Sequence, residues 1–305
     1  MAPKVGCIIQ GNVRRGTDLV LKTLPQPFDY TVFSTWDDEG KIPQGNFDLI
    51  RSPKPLVPGF TNRNYQRFSV ARGIEAAQAA GCDYVLKWRS DMLPTQLSIE
   101  SLLEWANFSP PINTKSRIVL PAFRNISINP DTFSSIPDLI SFGHIDEMEK
   151  LWGDVGFDYS KEFNMPLEDQ EKLGSHLMHS ASLADFYCAE AELYSLYRAK
   201  LAHSTNSHLN HKIVAENYLY LIDHNKLGIL WFGPQAGFRS IGQAWEHPWW
   251  TVNNWLKRNA AIHPYRRPIG GLRGRIQRKI SRMKVRAELK TQEKIWQKKY
   301  PAVQL

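Results

Sequence analysis

The sequence predicts an α/β protein, a mixed sheet flanked by helices and followed by a basic helical tail. Three observations carry this. Short apolar runs of strand length end at Gly, Asn or Asp, stretches with the three-to-four spacing of amphipathic helices lie between them, and positive charge gathers towards the carboxyl end. The 305 residues suffice for one large domain, since folding units commonly run to about 100 to 250 residues.

Lys4 to Gln10 is apolar, stops at Gly11-Asn12 and reads as a buried first strand running into a turn. A helix is expected from about Thr17 to Leu24. Tyr30 to Trp36 is rich in β-branched and aromatic residues, which suit a pleated, packed surface, and it breaks at Asp37-Asp38-Glu39-Gly40. Phe47 to Arg51 follows as a short strand before a Pro-rich loop. Within Asn62 to Ala80, Phe68, Ala71, Ile74 and Ala77 fall at helical spacing, with Gly81 as the stop. Asp83 to Trp88 is the next strand. Its polar end, Arg89-Ser90-Asp91, is expected at the carboxyl edge of the sheet, where open α/β sheets bind their ligands.

The second half is less regular. Arg117 to Ala122 and Leu139 to Phe142 read as strands, Ile145 to Trp152 and Leu183 to Leu201 as helices, and Gly228 to Phe232 as a late strand. Pro264, Pro268 and the Gly270-Gly271 pair mark a hinge before a final helix, about Leu272 to Tyr300.

Composition narrows the function classes. Cys7, Cys82 and Cys188 are too far apart in sequence for a metal clip or redox pair, which fits a reducing cytoplasm. The chain enters a strand pattern at once without a leader, and no run approaches the roughly 20 apolar residues of a membrane span, so a cytoplasmic location is expected. Of the net charge of +8, the segment from Lys257 to Lys299 carries +13, leaving −5 for the rest. Such a segment seeks phosphate, in lipid headgroups or in nucleic acid, or is simply a solvated charged helix. Ile276, Ile280, Met283 and Leu289 form a modest apolar stripe among its Arg and Lys residues, which suits peripheral attachment to an anionic membrane surface. Few aromatics accompany the charge for base stacking, so nucleic-acid binding ranks third among the functions considered. The ten Trp residues fit either an aromatic-lined cleft or tight packing.

The strongest local signal is Lys87-Trp88-Arg89-Ser90-Asp91 at a buried strand end, where an aspartate can hold a divalent cation against a diphosphate through hard oxygen ligands. An Asp in that place is also an ordinary turn former. The Gln10-Gly11-Asn12-Val13-Arg14 turn allows close backbone approach at Gly11, and Arg14, at a helix start, is able to meet phosphate. Asn62, Asn64, Gln66 and Arg67 crowd one helical turn; capping accounts for one of them but not for four.

These pieces, in order, resemble the WavE lipopolysaccharide-synthesis family, whose members are regarded as glycosyltransferases. The resemblance runs over roughly residues 4 to 235. Its elements are Gln10-Gly11-Asn12-Val13-Arg14, the strand end Ser34-Thr35-Trp36-Asp37, Asn62-x-Asn64-x-Gln66, and Lys87-x-Arg89-Ser90-Asp91. Further along come Ile136-Pro137-Asp138-Leu139-Ile140-Ser141-Phe142-Gly143, Leu151-Trp152 and Glu216-Asn217-Tyr218.

The resemblance implies a GT-A-like, Rossmann-type fold over residues 1–256, with a nucleotide-sugar-binding half (1–122), an acceptor half (123–256) and the basic tail (257–305) appended. It implies a nucleotide-sugar donor, a glycan or glycolipid acceptor, and donor contacts from Gln10, Gly11, Asn12, Arg14, Trp36, Asp37, Asn62, Asn64, Gln66, Arg67, Lys87, Arg89 and Asp91. Arg89 stands where metal-dependent GT-A enzymes usually carry the first Asp of Asp-x-Asp, which leaves two versions of the chemistry. In one, Asp91 anchors Mn²⁺ or Mg²⁺ with His224 or His247 as second ligand. In the other, Lys87, Arg89 or Arg14 meets the diphosphate without metal and Asp91 orients the sugar. An inverting enzyme needs a carboxylate to take the acceptor's proton, for which Glu190 and Glu192 are the candidates and Asp37 and Asp138 the fallbacks; a retaining enzyme would need none. A non-catalytic nucleotide-sugar or glycan-binding protein is the alternative, and the joint presence of Asp91 with both glutamates favours the enzyme.

Overall fold

The computed structural model describes residues 2–14, 16–59, 62–94, 96–121, 136–162, 164, 189–205, 209, 211–222, 226–227, 229–231 and 239–240. The predicted hinge and final helix, the 257–305 tail, Leu183 to Cys188, His224 and His247 lie outside these residues.

The first half follows the sequence pattern closely. Strands β1 (Val5–Gln10), β2 (Tyr30–Trp36), β3 (Asp48–Ser52) and β4 (Tyr84–Arg89) alternate with α1 (Thr17–Thr23) and α2 (Arg63–Ala79). After β4 come β5 (Met92–Pro94), α3 (Ile99–Ala106), β6 (Ile118–Pro121), β7 (Ser141–His144) and α4 (Ile145–Trp152). Helices α5 (Ala189–Thr205) and α6 (His211–Asn217) precede β8 (Leu219–Ile222), β9 (Ile229–Trp231) and β10 (Arg239–Ser240).

The seven-stranded main sheet has the order β3-β2-β1-β4-β7-β6-β8. Strands β1 to β4 run parallel, β7 runs antiparallel to both β4 and β6, and β6 is parallel to β8. This is the Rossmann-type mixed sheet that the sequence predicts. The link from β2 to β3 is a crossover without a helix. Strand β5 leaves the main sheet and joins β9 and β10 in a small antiparallel sheet.

Both faces of the main sheet are covered, so its central strands read as unbroken apolar runs rather than alternating ones. On one face Cys7, Ile9, Phe33, Leu86 and Trp88 pack with Leu19 and Val20 of α1 and Leu102 and Ala106 of α3. On the other, Ile8, Val32 and Val85 pack with Val70 and Ile74 of α2, Met148 and Leu151 of α4, and Tyr194 and Tyr197 of α5. Each such side chain contributes about 1.5–3 kcal/mol when fully buried, and a one-residue slip would exchange the two faces, which fixes the register. Helix α2 lies close enough to β1 that a Cβ on Gly73 would overlap Cγ2 of Ile8.

Helix α3, which the sequence pattern did not mark, starts at Ser98, whose Oγ accepts a hydrogen bond from the Ser101 amide at 3.1 Å. The described tryptophans resolve towards packing: Trp36, Trp88 and Trp152 are buried, with indole N–H groups of the last two donating to Met92 O and Ser141 Oγ. Among the described residues no helix is long and apolar enough to cross a membrane.

Candidate functional site

From β1 the chain turns through α1 to β2 on one side; from β3 it returns over the opposite face through α2 to β4 on the other side of β1. The carboxyl ends of β1 and β4 therefore part in opposite directions, opening the crevice in which such sheets bind ligands. Gln10 is the register partner of Arg89, so the two motifs singled out in the sequence flank this switch point. They are also tied together. The Ser90 amide donates to Gln10 O at 3.0 Å, and Ser90 Oγ donates to Asn12 O at 2.7 Å.

Gly11 takes φ 120°, a backbone region L side chains rarely adopt, and a Cβ there would stand 3.0 Å from Ser90 Oγ. The Val13 amide is held by Glu39 Oε2 at 2.8 Å, and that oxygen also accepts from Thr35 Oγ1 at 3.3 Å. Glu39, which sequence reasoning passed over as part of an acidic turn, thus links the β1 turn to the end of β2. Arg51, on the edge strand, donates to the carbonyls of Asp37, Glu39 and Gly40 and holds that turn from the other side.

Just past the end of β4 is Asp91, buried, with two guanidiniums on it. Arg89 meets it in a bidentate pair, Nε to Oδ1 and Nη2 to Oδ2, both at 2.9 Å, and Arg14 Nη1 reaches Oδ2 at 3.1 Å. The Arg14 side chain is 44% exposed and Arg89 22%, against 2% for Asp91, so the cations face outwards over a buried anion. The described part of this donor set favours an anion over a divalent metal, and His224 and His247 lie outside it. Both carboxylate oxygens already accept charge-assisted hydrogen bonds, guanidiniums repel a cation, and no group of three or more His, Cys, Asp or Glu gathers among the described residues. Planar guanidinium forks suit phosphate oxygens instead.

The remaining predicted donor residues divide. Trp36 is buried against Tyr65, with ring centroids 5.4 Å apart. Asp37 is exposed and its amide donates to Ser52 O at 3.0 Å. Asn62 is an exposed residue at the head of α2, with φ 62° and no side-chain cap. Asn64, Arg67 and Lys87, read from the sequence as donor contacts, are spent on the fold. Asn64 Nδ2 donates to Val57 O and Lys161 O, each at 2.9 Å, joining two loops. Arg67 donates to Gly153 O at 3.0 Å and lies over the Phe157 ring at 4.8 Å, closing the carboxyl end of α4. Lys87 is fully buried, donates to Asp138 O and to Leu139 O, and lies 4.6 Å from the centre of the Trp152 ring. All three sit on faces that the helical and strand periods turn inwards, a consequence of packing that the motif spacing did not show. Gln66 Nε2 donates to Asp138 O at 3.2 Å, and Ser69 Oγ to Gln10 Oε1 at 3.1 Å.

Of the two glutamates, Glu192 is buried, 2.7 Å from Arg63 Nε, and accepts from the Asn164 amide at 2.8 Å. It joins the start of α5 to the start of α2. Glu190 lies at the start of α5, two residues before it; its side chain is outside the described residues.

No protein-family model matches the sequence, and no curated protein matches it. Among solved structures it is similar to the crystal structure of mannose-1-phosphate geranyltransferase from Thermus thermophilus, at 12% identity over 72% of this chain and 74% of that chain, with a TM-score of 0.27. A likeness of that size defines neither the fold nor the chemistry of this chain.

Proposed function

We propose that this chain is a glycosyltransferase of GT-A-like fold that moves a sugar from a nucleotide-sugar donor to a surface polysaccharide or lipopolysaccharide acceptor, in keeping with its resemblance to the WavE family. The observation that carries the reading is the convergence of Arg14 and Arg89 on Asp91 at the switch point between β1 and β4. Two guanidiniums aimed by one buried carboxylate form a ready receptor for a diphosphate, and the crevice around them is the place where this class of sheet takes a nucleotide.

In this reading the acceptor hydroxyl oxygen attacks the anomeric carbon and the bond from that carbon to the diphosphate oxygen breaks. The nucleoside diphosphate leaves with the bonding electrons. Arg14 and Arg89 stabilise the charge that grows on the leaving oxygens, the task a metal performs in related chemistry. Asp91 keeps both forks oriented before the donor arrives. The hydroxyl proton passes to a carboxylate if the reaction inverts configuration; Glu190 is our assignment, since Glu192 is already committed to Arg63. The surface-glycan acceptor rests on the family resemblance.

The test is calorimetric titration of nucleoside diphosphates and nucleotide sugars, with Mn²⁺ and with EDTA, into wild type and Asp91→Ala. Binding of one nucleotide series by the wild type, unchanged by EDTA and weakened in the variant, supports the reading. Absence of binding across the panel rejects the donor site and leaves a glycan-binding role.

A further inference from the structure

We propose that Asp138 is a specificity residue that accepts a hydrogen bond from a hydroxyl of the glycosyl group being transferred. This rests on the reading of the crevice as the donor site. Asp138 is 7% exposed, and its Oδ1 is buried with no hydrogen-bond partner among the described residues. A buried acceptor left unsatisfied is costly, the more so when charged, and in a native fold such a group calls for an explanation.

Its place shows what the use is. The main chain at Asp138 is clamped from two sides, by Lys87 Nζ from β4 and by Gln66 Nε2 from the first turns of α2. Lys87 is two residues before Arg89 on the same strand and pairs in register with Ser141 of β7. Because β7 runs antiparallel to β4, the residues before Ser141 extend towards the carboxyl end of β4, the end that carries Arg89 and Asp91. Gln66 is three residues from Ser69, which holds Gln10 at the end of β1. The main chain of Asp138 is therefore held on the α2 side of the sheet, at the carboxyl end of β4, the end that carries Arg89 and Asp91.

Chemistry selects the partner. An ionised carboxylate only accepts hydrogen bonds, and it repels phosphate, so the diphosphate is excluded. A neutral hydroxyl satisfies it, and a site built to bond a hydroxyl discriminates strongly against a sugar that lacks one. Of the hydroxyls a nucleotide sugar carries, those of the glycosyl ring follow the diphosphate on the side away from the nucleoside.

The experiment compares wild type with Asp138→Asn. Uridine and guanosine diphosphates and their glucose, galactose and mannose conjugates are titrated into each by calorimetry. The expected result is that the nucleoside diphosphate that binds the wild type binds the variant equally, while its sugar conjugate binds the variant at least about tenfold more weakly. Equal affinity of the conjugate for both proteins, as a resident water at Oδ1 would give, overturns the proposal; so does a parallel loss for the bare diphosphate, which would place Asp138 at the ribose or the phosphates. If no nucleotide binds the wild type, the nucleotide-sugar reading fails separately, and saturation-transfer NMR with free glucose, galactose and mannose decides for Asp138. A signal present in wild type and lost in the variant upholds hydroxyl recognition, and any other pattern overturns it. A melting temperature lowered in Asp138→Asn by more than about 4 °C also overturns it, because the carboxylate would then be serving the fold.

Discussion

Arg89 grips Asp91 through two parallel hydrogen bonds of 2.9 Å each, from Nε to Oδ1 and from Nη2 to Oδ2, with a single residue between them. The pair is local in sequence, but it is completed from 77 residues away by Arg14 at 3.1 Å. Guanidiniums from the ends of two adjacent parallel strands are thereby gathered on one carboxylate. Replacing either arginine by Ala is expected to weaken nucleoside diphosphate binding about tenfold or more, since a hydrogen bond to a charged group contributes about 1.5–3 kcal/mol. Calorimetry at low and moderate salt checks this, and affinities of both variants equal to wild type would remove the arginines from the site.

Glu192 and Glu190 are expected to fail differently when changed. Glu192→Ala leaves the buried Arg63 guanidinium without its carboxylate, a loss of about 3–5 kcal/mol read as a lower denaturation midpoint. Glu190→Gln is expected to keep the midpoint of the wild type and to lower turnover about 100-fold or more. Unchanged turnover in Glu190→Gln, once a donor is known, would withdraw its assignment as the base.

Gly73→Ala places a methyl against Ile8 and is expected to cost about 1–3 kcal/mol, where an ordinary helix position would gain from the change. In a double-mutant cycle with Ile8→Ala the two losses should fall short of additive, because the second change removes the clashing Cγ2. Strict additivity would show that α2 does not approach β1 this closely.

Lys200 predicts a pH dependence. Burial, reinforced by repulsion from Arg67, pulls its ammonium from 10.5 down to about 8, while its Nζ donates to Gly153 O at 3.1 Å. Below about pH 8 the lysine is charged in both states and the folded protein bears the whole cost of burial. Above it the folded chain sheds the proton that the unfolded chain retains, so stability rises with pH until the unfolded lysine also titrates. Burial also raises the pKa of Cys7, Cys82, Tyr30 and Tyr194; these oppose the trend where the unfolded thiols and tyrosines ionise, near pH 8.5 and pH 10, but equally with and without Lys200, so they cancel in the difference. Wild type should therefore gain stability relative to Lys200→Met between about pH 8 and about pH 9.5. A constant difference in midpoint across that range would refute the shift.

Much of the fold was legible because it is local. The stops at Gly11 and Gly81, the apolar spacing of Phe68 to Ala77 and the β-branched run of Tyr30 to Trp36 report short-range preferences, and β1 to β4, α1 and α2 stand within a residue or two of where these place them. Strands β5 and β8 were not legible. Strand β5 follows Arg89-Ser90-Asp91 at once and pairs with β9, a partner far along the chain, and β8 follows directly on a helix, so no turn signal sets either apart.

The sequence by itself determined the element types and the presence of an acidic strand end beside a basic turn. Only the tertiary structure decided what each polar side chain does. Asn64, Arg67 and Lys87 share motifs with Asn62 and Arg89, yet helical and strand geometry turns the first three towards main-chain carbonyls in the interior. The same folding brings Arg14 onto Asp91 and places Asp138 beside Lys87 and Gln66. Such partnerships join residues 51 to 77 positions apart, a distance over which no periodicity survives and only the packing of the sheet against α2 sets the geometry.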